Sequence, residues 1–475
     1  MDAVTSARSR RREIGFALGG GAAALTQSLA MWGFTVDDAL ISVRYAQSLA
    51  GGTGWRPSPG APVSDGVTPL PWAPLLALLS SDDALVVLLR AKVLGIVVWT
   101  LASARLGAAI GAATSPARGE LAARPWAAVG ALALLATVFP IGAHAASGME
   151  TGLVIALATL AATSRRLYVC ALIAGLAAAL RPELVGWAAA LAVLRALFEG
   201  EGASAQRARS AIVALGCSCG PFLVVAIVRL AAFGRAAPLA ATAKPSDLSH
   251  GLVYALAAFF VTAAPIALLA PRALSASRSP AAPIALATAV HFVVLAVVGG
   301  DWMPYARLAT PVIPAALYAF VVSSAPAFAR GWSVALRLGL AASAAAVSLR
   351  AAPAGRGVMR DRTALVVSAR GPLAGARCIA ALDVGWVGAA APHARIVDLA
   401  GVTDPTIAAL PGGHTSKRVD LGMLSDRHVD TLVTFGPPRA VEQRLTTDPR
   451  FRAQYTLSRT LDLGTTGLYF VWTRR

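Results

Sequence analysis

The run SAIVALGCSCGPFLVVAIVRLA, residues 210–231, holds one charge, Arg229, in 22 residues. A helix of that length, rising about 1.5 Å per residue, covers the roughly 30 Å hydrocarbon core of a bilayer. Hydropathy places ten further apolar runs around it: 14–32, 84–107, 126–143, 149–163, 167–180, 184–198, 252–271, 281–298, 307–323 and 332–349. Several are shorter than the roughly 20 residues a crossing demands, so their limits must extend into the flanks. The whole chain agrees: 475 residues, 56% hydrophobic, mean hydropathy +0.64, and 14% charged, against about 25% charged in an ordinary soluble domain. These values point to an α-helical polytopic membrane protein of about eleven spans. They exclude soluble, disordered, collagenous and disulfide-rich classes.

A net charge of +18 raises the question of nucleic acid. The basic residues, however, are scattered between apolar spans and form no stripe with interleaved aromatics, so no nucleic-acid partner is expected. Cys170, Cys217, Cys219 and Cys378 form no CxxC pair, and neither zinc nor a disulfide framework is indicated. Arg8, Arg10, Arg11 and Arg12 precede the run from Ile14 to Trp32. No small-residue cleavage site follows, and the run reads as a retained first helix.

The arginines set the orientation. With a cytoplasmic N-terminus, the inside loops hold Arg105, Arg118 and Arg124, then Arg165 and Arg166, Arg207 and Arg209, Arg272 and Arg278, and Arg330, as the positive-inside rule requires. An odd span count then leaves the C-terminus outside. The same threading puts Asp37, Asp38, Asp65, Glu150, Glu183, Asp247 and Asp301 at the outer surface. Acids converging on one face of a membrane bundle mark a functional site; a solvated-loop reading suits Asp247 and Asp65 better. A long outer loop, 33–83, joins the first two spans, with an amphipathic stretch from Asp38 to Leu49 and an interfacial piece from Pro69 to Leu79. The bundle accounts for residues 1–350. After it charge returns and apolar runs shrink to strand length, as in Cys378–Leu382, Thr431–Phe435 and Leu468–Trp472, so residues 351–475 are expected to form a small extracytoplasmic α/β domain.

The strongest local signal is Val36-Asp37-Asp38-Ala39-Leu40-Ile41-Ser42-Val43-Arg44-Tyr45. Two adjacent carboxylates repel, so each stays ionised only beside a cation, a metal or hydrogen-bond donors. That property suits a catalytic base, with a divalent ion (magnesium, manganese or calcium) on Asp37 and Asp38 as an open alternative. A plain helix cap is the competing structural role. Arg44 and Tyr45 follow within two turns, where Arg44 can pair with an acid or bind a phosphate.

Taken in order, DDALISVRYAQSLAGGTGW, SDGVTPLPWAPLLALL, SGMETGL, RPELVGW and GGDWMPYARLATPVIP resemble the membrane glycosyltransferases of the GT-C class, with most likeness to the bacterial terminal arabinofuranosyltransferase type. The resemblance runs from about residue 34 to 320, and ALDVGWVG with IVDLAGVTDP is similar to the outer C-terminal domain of that group. It implies a polyprenyl-phosphate sugar donor, an envelope glycan or lipid acceptor, membrane lipids as surroundings, and an active site on the outer face of a bacterial inner membrane. The family's first-loop acid pair falls on Asp37 and Asp38, and its Gly-Leu-Glu-Thr element on Gly148, Met149, Glu150 and Thr151. Arg181-Pro182-Glu183 and Gly300-Asp301-Trp302 occupy two more shared positions. One element departs: Asp65-Gly66-Val67-Thr68-Pro69-Leu70-Pro71-Trp72 lacks the usual aromatic and small polar residue and carries an extra Pro71, which bears on substrate selectivity.

A glycosyl phosphate already carries its leaving group. The protein must therefore deprotonate an acceptor hydroxyl, hold the phosphate and shelter an oxocarbenium-like transition state. Asp38 is the expected general base, with Asp37 orienting it. Arg44, Lys244, His250, Arg181 and Arg307 are the expected phosphate contacts, and Glu150, Glu183, Asp301, Trp302 and Tyr45 the expected substrate contacts. Lys244 and His250 suit a solvated basic loop as well, and Arg181 with Glu183 an interfacial ion pair. His144 reads as a satisfied polar turn and His291 as an interhelical hydrogen-bonded histidine. The expected activity is inverting transfer of a pentofuranose such as arabinose, or of a hexose, to a hydroxyl. A mannosyl- or aminoarabinosyl-type transferase, a flippase of lipid-linked glycans, and an inactive scaffold remain as rivals; the internal repeats common in transporters are not visible.

Overall fold

The computed structural model describes residues 2–114, 124–199, 203–244, 246–269, 281–324, 331–462 and 467–475. Arg118, Arg272, Arg278 and Arg330, on which part of the orientation rests, lie outside them. In chain order the α-helices of the described residues are α1 (Asp2–Ala30), α2 (Asp37–Ala50), α3 (Trp72–Ala77), α4 (Ala84–Ala113), α5 (Arg124–Thr137), α6 (Phe139–Ala145), α7 (Thr151–Thr163), α8 (Leu167–Leu180), α9 (Val185–Glu199), α10 (Ser204–Phe233), α11 (Leu239–Ala243), α12 (Leu248–Ala258), α13 (Ala264–Leu269), α14 (Ala282–Val297), α15 (Ile313–Ser324), α16 (Gly331–Leu349), α17 (Val358–Ala369), α18 (Val384–Ala390), α19 (Pro405–Ala408), α20 (Leu421–Asp426), α21 (Ala440–Thr447) and α22 (Phe451–Gln454). Five strands lie in the tail: β1 (Cys378–Ala381), β2 (Arg395–Asp398), β3 (Thr431–Gly436), β4 (Tyr455–Asp462) and β5 (Leu468–Arg474).

Each of the eleven apolar runs is helical, but their lengths divide them. Among the described residues three helices are long and apolar enough to cross a membrane, Ala84–Ala113, Ser204–Phe233 and Leu248–Ala267, and α5 with α6 gives a fourth if that pair, bent by 59°, is one span. Thr151–Thr163, Leu167–Leu180 and Ala282–Val297 are apolar and shorter. A helix of 13 residues, such as α7, reaches about 20 Å. Among the described residues the chain is thus mostly helical, with three or four helices of crossing length.

The chain forms two compact units. The first is Met1–Phe34, Lys92–Val224 and Ser246–Arg356. Its core gathers Trp99 and Leu106 of α4, Leu135 of α5, Ile155 of α7 and Leu317 of α15. Small residues set its closest seams. A Cβ on Gly107 would lie 2.0 Å from the Phe16 carbonyl oxygen, and one on Gly95 would lie 2.3 Å from that of Ala145, so α4 meets α1 and α6 backbone to backbone, as small residues allow in membranes. Lys92 is fully buried. Its Nζ donates to the Phe34 carbonyl at 2.6 Å and to that of Ala146, and sits 4.9 Å from the centre of the Trp32 ring.

The second unit is Thr35–Ala91, Val225–Pro245 and Gly357–Arg475. Its sheet runs β2-β1-β3-β5-β4. The first three strands are parallel and the last two antiparallel, with Ala380 beside both Val397 and Leu432, and Val433 beside Val471. β1 is buried throughout, as a parallel strand covered on both faces must be. The expected strands at 378, 431 and 468 are present. β2 is only four residues long and β4 is exposed along most of its length, which is why neither stood out as an apolar run. The long first loop shares this unit: Ser64 Oγ donates to the Thr403 carbonyl at 2.7 Å, the Ile396 N–H donates to Ser58 Oγ at 2.9 Å, and Arg44 donates to the Pro392 carbonyl at 3.0 Å.

Candidate functional site

Two groups of charged side chains stand out, one in each unit. In the second unit, Asp37 and Asp38 open α2 but have different surroundings. Asp37 is buried. Its Oδ2 accepts from the Gly385 N–H at 2.8 Å and its Oδ1 from the Trp386 N–H at 2.9 Å, while Arg362 lies 3.5 Å away. The cap role weighed for this pair therefore falls on a helix some 350 residues downstream, α18. Gly385 is required there, because a Cβ would meet the Asp37 carbonyl oxygen at 2.2 Å. Burial raises the Asp37 carboxyl to about 6 against the pull of Arg362, with Asp383 adding to the rise. Asp383 is held below the usual range by Arg439 and Arg362 and by the Tyr469 hydroxyl 2.6 Å away, which outweigh its own burial.

Asp38 is half-buried, and among the described residues no group hydrogen-bonds its carboxylate. Of the pair it is the one whose oxygens are open to a substrate. Both Asp37 oxygens already accept backbone N–H groups, and the described residues hold no cluster of three His, Cys, Asp or Glu.

The neighbours of the pair serve the loop. Tyr45 is fully buried; its hydroxyl pairs with Ser64 Oγ at 2.6 Å and accepts from the Gly66 N–H at 3.2 Å, a place inside the protein and not on a substrate. Arg44 is buried without an acid, donating to Gln47 Oε1 at 2.7 Å and to Pro392, with its Nε unpaired. Asp65 is fully buried, not solvated: Arg235 stands 2.6 Å and Arg229 3.2 Å from its carboxylate, and the Leu239 N–H donates to it at 3.3 Å. Lys244 ends α11 in this unit, half-buried and already engaged.

The first unit gathers Glu150, Arg181, Glu183, Asp301 and Arg307. Arg181 follows α8 in extended conformation, as a residue before proline favours, and points Nε at Glu150 at 2.7 Å, Nη1 at Glu183 at 3.5 Å and Nη2 at Thr151 Oγ1 at 3.3 Å. Arg307 Nε pairs with Asp301 at 2.7 Å, and its Nη1 approaches the Met149 sulfur at 3.7 Å. His144, which the sequence suggested was a satisfied turn, is fully buried within electrostatic reach of Arg307, Arg181 and Asp301; its Nε2 meets the Pro304 carbonyl at 3.1 Å and its Nδ1 has no partner. His291 does bond between elements, to the Leu308 carbonyl at 2.8 Å. His250 is exposed, with Nδ1 2.7 Å from the Gly299 carbonyl, and Trp302 is half-exposed.

The segment 299–307 shapes this group. Gly299 and Gly300 have φ of +88° and +70°, and a Cβ on Gly300 would strike Tyr254 at 2.6 Å, which gives the Gly-Gly-Asp-Trp sequence its physical reason. Tyr305 and Ala306 also have positive φ, 65° and 51°, a strained state for residues with a Cβ. Asp301 and Arg307 join the charged group, whereas Met303 to Ala306 line an apolar cavity of about 1150 Å³ shared with Phe139, Tyr254 and helices α12, α13 and α16. A π-helical turn, Phe259–Ala263, forms part of its wall, and such turns recur at functional sites. No protein-family model, curated protein or solved structure matches the chain.

Proposed function

We propose that the protein is a glycosyltransferase of the cell envelope that takes a sugar from a polyprenyl-phosphate donor on the outer face of the membrane. The observation that carries this reading is the 299–307 segment, which borders charged side chains with Asp301 and Arg307 and a large apolar cavity with Met303 to Ala306. An amphiphile with a small polar anionic head and a long hydrocarbon chain matches that pairing. Carboxylates accept from sugar hydroxyls, and guanidinium groups donate to phosphate and hydroxyl oxygens. Each arginine here already faces a carboxylate, so the cluster favours a donor phosphodiester of single charge over a free dianion.

The reaction is a displacement in which the acceptor oxygen bonds to the anomeric carbon as the carbon–oxygen bond to the phosphate breaks. The configuration inverts, the lipid phosphate leaves with the electron pair, and the hydroxyl proton passes to a base. Within the second unit Asp38 is the carboxylate suited to act as such a base, because its oxygens are open while Asp37 is committed to Gly385 and Trp386. Asp37 fixes the start of α2 and so positions its neighbour.

Transfer from a panel of radiolabelled polyprenyl-phosphate sugars by the purified, lipid-reconstituted protein tests this reading. Asp38→Asn is expected to lower kcat by at least about 100-fold with donor binding retained. Full turnover in that variant removes Asp38 as base. Absence of transfer with every donor, together with movement of the lipid across the bilayer, replaces the transferase with a flippase.

A further inference from the structure

A second polar pocket, of about 550 Å³, lies in the first unit at the far ends of α7 and α9 from the charged group. Arg105 of α4, Arg165 from the α7–α8 turn, Arg195 of α9 and Tyr318 of α15 line it, with alanines of α4 leaving the space between them. Its hydrogen-bonding capacity is unevenly used. Arg195 is committed, donating to Glu199 at 2.8 and 2.9 Å and to the Ser164 carbonyl at 2.7 Å. That bidentate pair neutralises Glu199, and Glu13, the other acid on the wall, has a partner of its own.

Arg105 makes one hydrogen bond, to the Thr163 carbonyl at 3.1 Å, out of the five N–H groups a guanidinium offers. Among the described residues, neither Arg165 nor the Tyr318 hydroxyl has a partner. All three arginines and Tyr318 line the same pocket. The carbonyls ending α7, which would repel an anion, are already covered by Arg105 and Arg195.

We propose that this pocket binds a phosphate mono- or diester, either the headgroup of an anionic phospholipid or a free phosphate. Arg165, the N–H groups that Arg105 does not spend on Thr163, and a phenol supply donors to the pocket, and basic pockets between helix ends are where anionic headgroups bind. The proposal is independent of the activity assigned above.

Native mass spectrometry of the full-length protein in neutral detergent, titrated with phosphatidylglycerol, phosphatidylcholine or inorganic phosphate, provides the test. Phosphatidylglycerol is expected to be retained at least about tenfold more tightly than phosphatidylcholine. Arg105→Gln with Arg165→Gln is expected to lose about 25-fold, near fivefold for each arginine. Arg207→Gln with Arg209→Gln, outside the pocket, should lose nothing. Because Arg105 also covers a helix end, Arg165→Gln alone and Tyr318→Phe keep the test sound if the double variant misfolds; both should weaken retention. Inorganic phosphate that binds without lipid and with the same variant dependence assigns the free anion as ligand, whereas retention of phosphatidylglycerol unaffected by phosphate assigns the lipid. Equal retention of the two lipids with no phosphate binding, or equal binding of every ligand by wild type and the pocket variants, overturns the proposal.

Discussion

Asp37 and Asp38 are chemically identical and adjacent, and the fold gives them different surroundings. Their difference sets an expectation for pH. Burial raises the folded Asp37 carboxyl to about 6 from its ordinary 3.8, and Asp398, buried beside the N–H groups of Ala400 and Thr403, is also raised to about 6. Between those values the folded protein binds more protons than the unfolded chain, so stability falls as pH rises from about 4 to 6. Thermal unfolding across that range should show the fall, and Asp37→Asn should flatten part of it while the Asp398 share persists. The Arg181–Glu150 pair gives a second expectation. Glu150→Gln leaves the buried Arg181 guanidinium with Glu183, 3.5 Å away, as its remaining counter-charge, and should lower the unfolding midpoint by an amount that corresponds to less than the about 3–5 kcal/mol lost when a buried pair is broken outright. At this scale the sequence located the charged residues but not their partners. Asp65 looked like a loop acid because Arg229 sits in an apolar run and Arg235 beyond it, more than 160 residues away; no local pattern links them. Lys92 was passed over because its acceptors are backbone carbonyls, which any residue carries.

At the scale of elements, glycines distinguish seams from open faces. Gly107→Ala should separate α1 from α4 and lower the unfolding midpoint by several degrees, because its Cβ would lie 2.0 Å from the Phe16 carbonyl oxygen and backbone cannot yield cheaply. Gly216→Ala in α10 meets nothing within 4 Å and should be neutral or stabilising, by up to about 1 kcal/mol, since alanine is the better helix former. A matched loss in both variants would show that the α1–α4 seam is not where the strain falls. Hydropathy found these helices because apolar composition is local. Helix length and bending are set by packing, as at the 59° break between α5 and α6, and hydropathy does not carry them. The sheet was half legible: β1, β3 and β5 are apolar, while β4 faces solvent along Thr456–Thr460 and reads as a polar linker.

For the molecule as a whole, the tail holds the first loop in place. Asp37, Ser64, Ser58 and Arg44 all find hydrogen-bond partners between Gly385 and Thr403. A version ending at residue 356 is therefore expected to lose transfer activity and to expose new protease sites in residues 51–68, mapped by limited digestion against the full chain. A truncated protein as resistant as the full chain would show that the loop is ordered without the tail. The sequence marked both segments yet could not join them, because their contacts run through backbone groups and short polar side chains that leave no signature.

Since the second unit is assembled from three distant stretches of chain, its folding cannot be completed in the order in which its parts are synthesised. The first loop leaves the ribosome about 270 residues ahead of the tail that completes it, a wait of roughly 15 to 50 seconds at ordinary elongation rates. During that interval Asp37 is without the Gly385 and Trp386 N–H groups and Ser64 without the Thr403 carbonyl, and the loop must be tolerated in an unfinished form by whatever machinery inserts the helices that follow. A nascent chain that has not reached residues 357–475 lacks the groups to which the first loop bonds, so the arrival of that segment sets when the loop can settle.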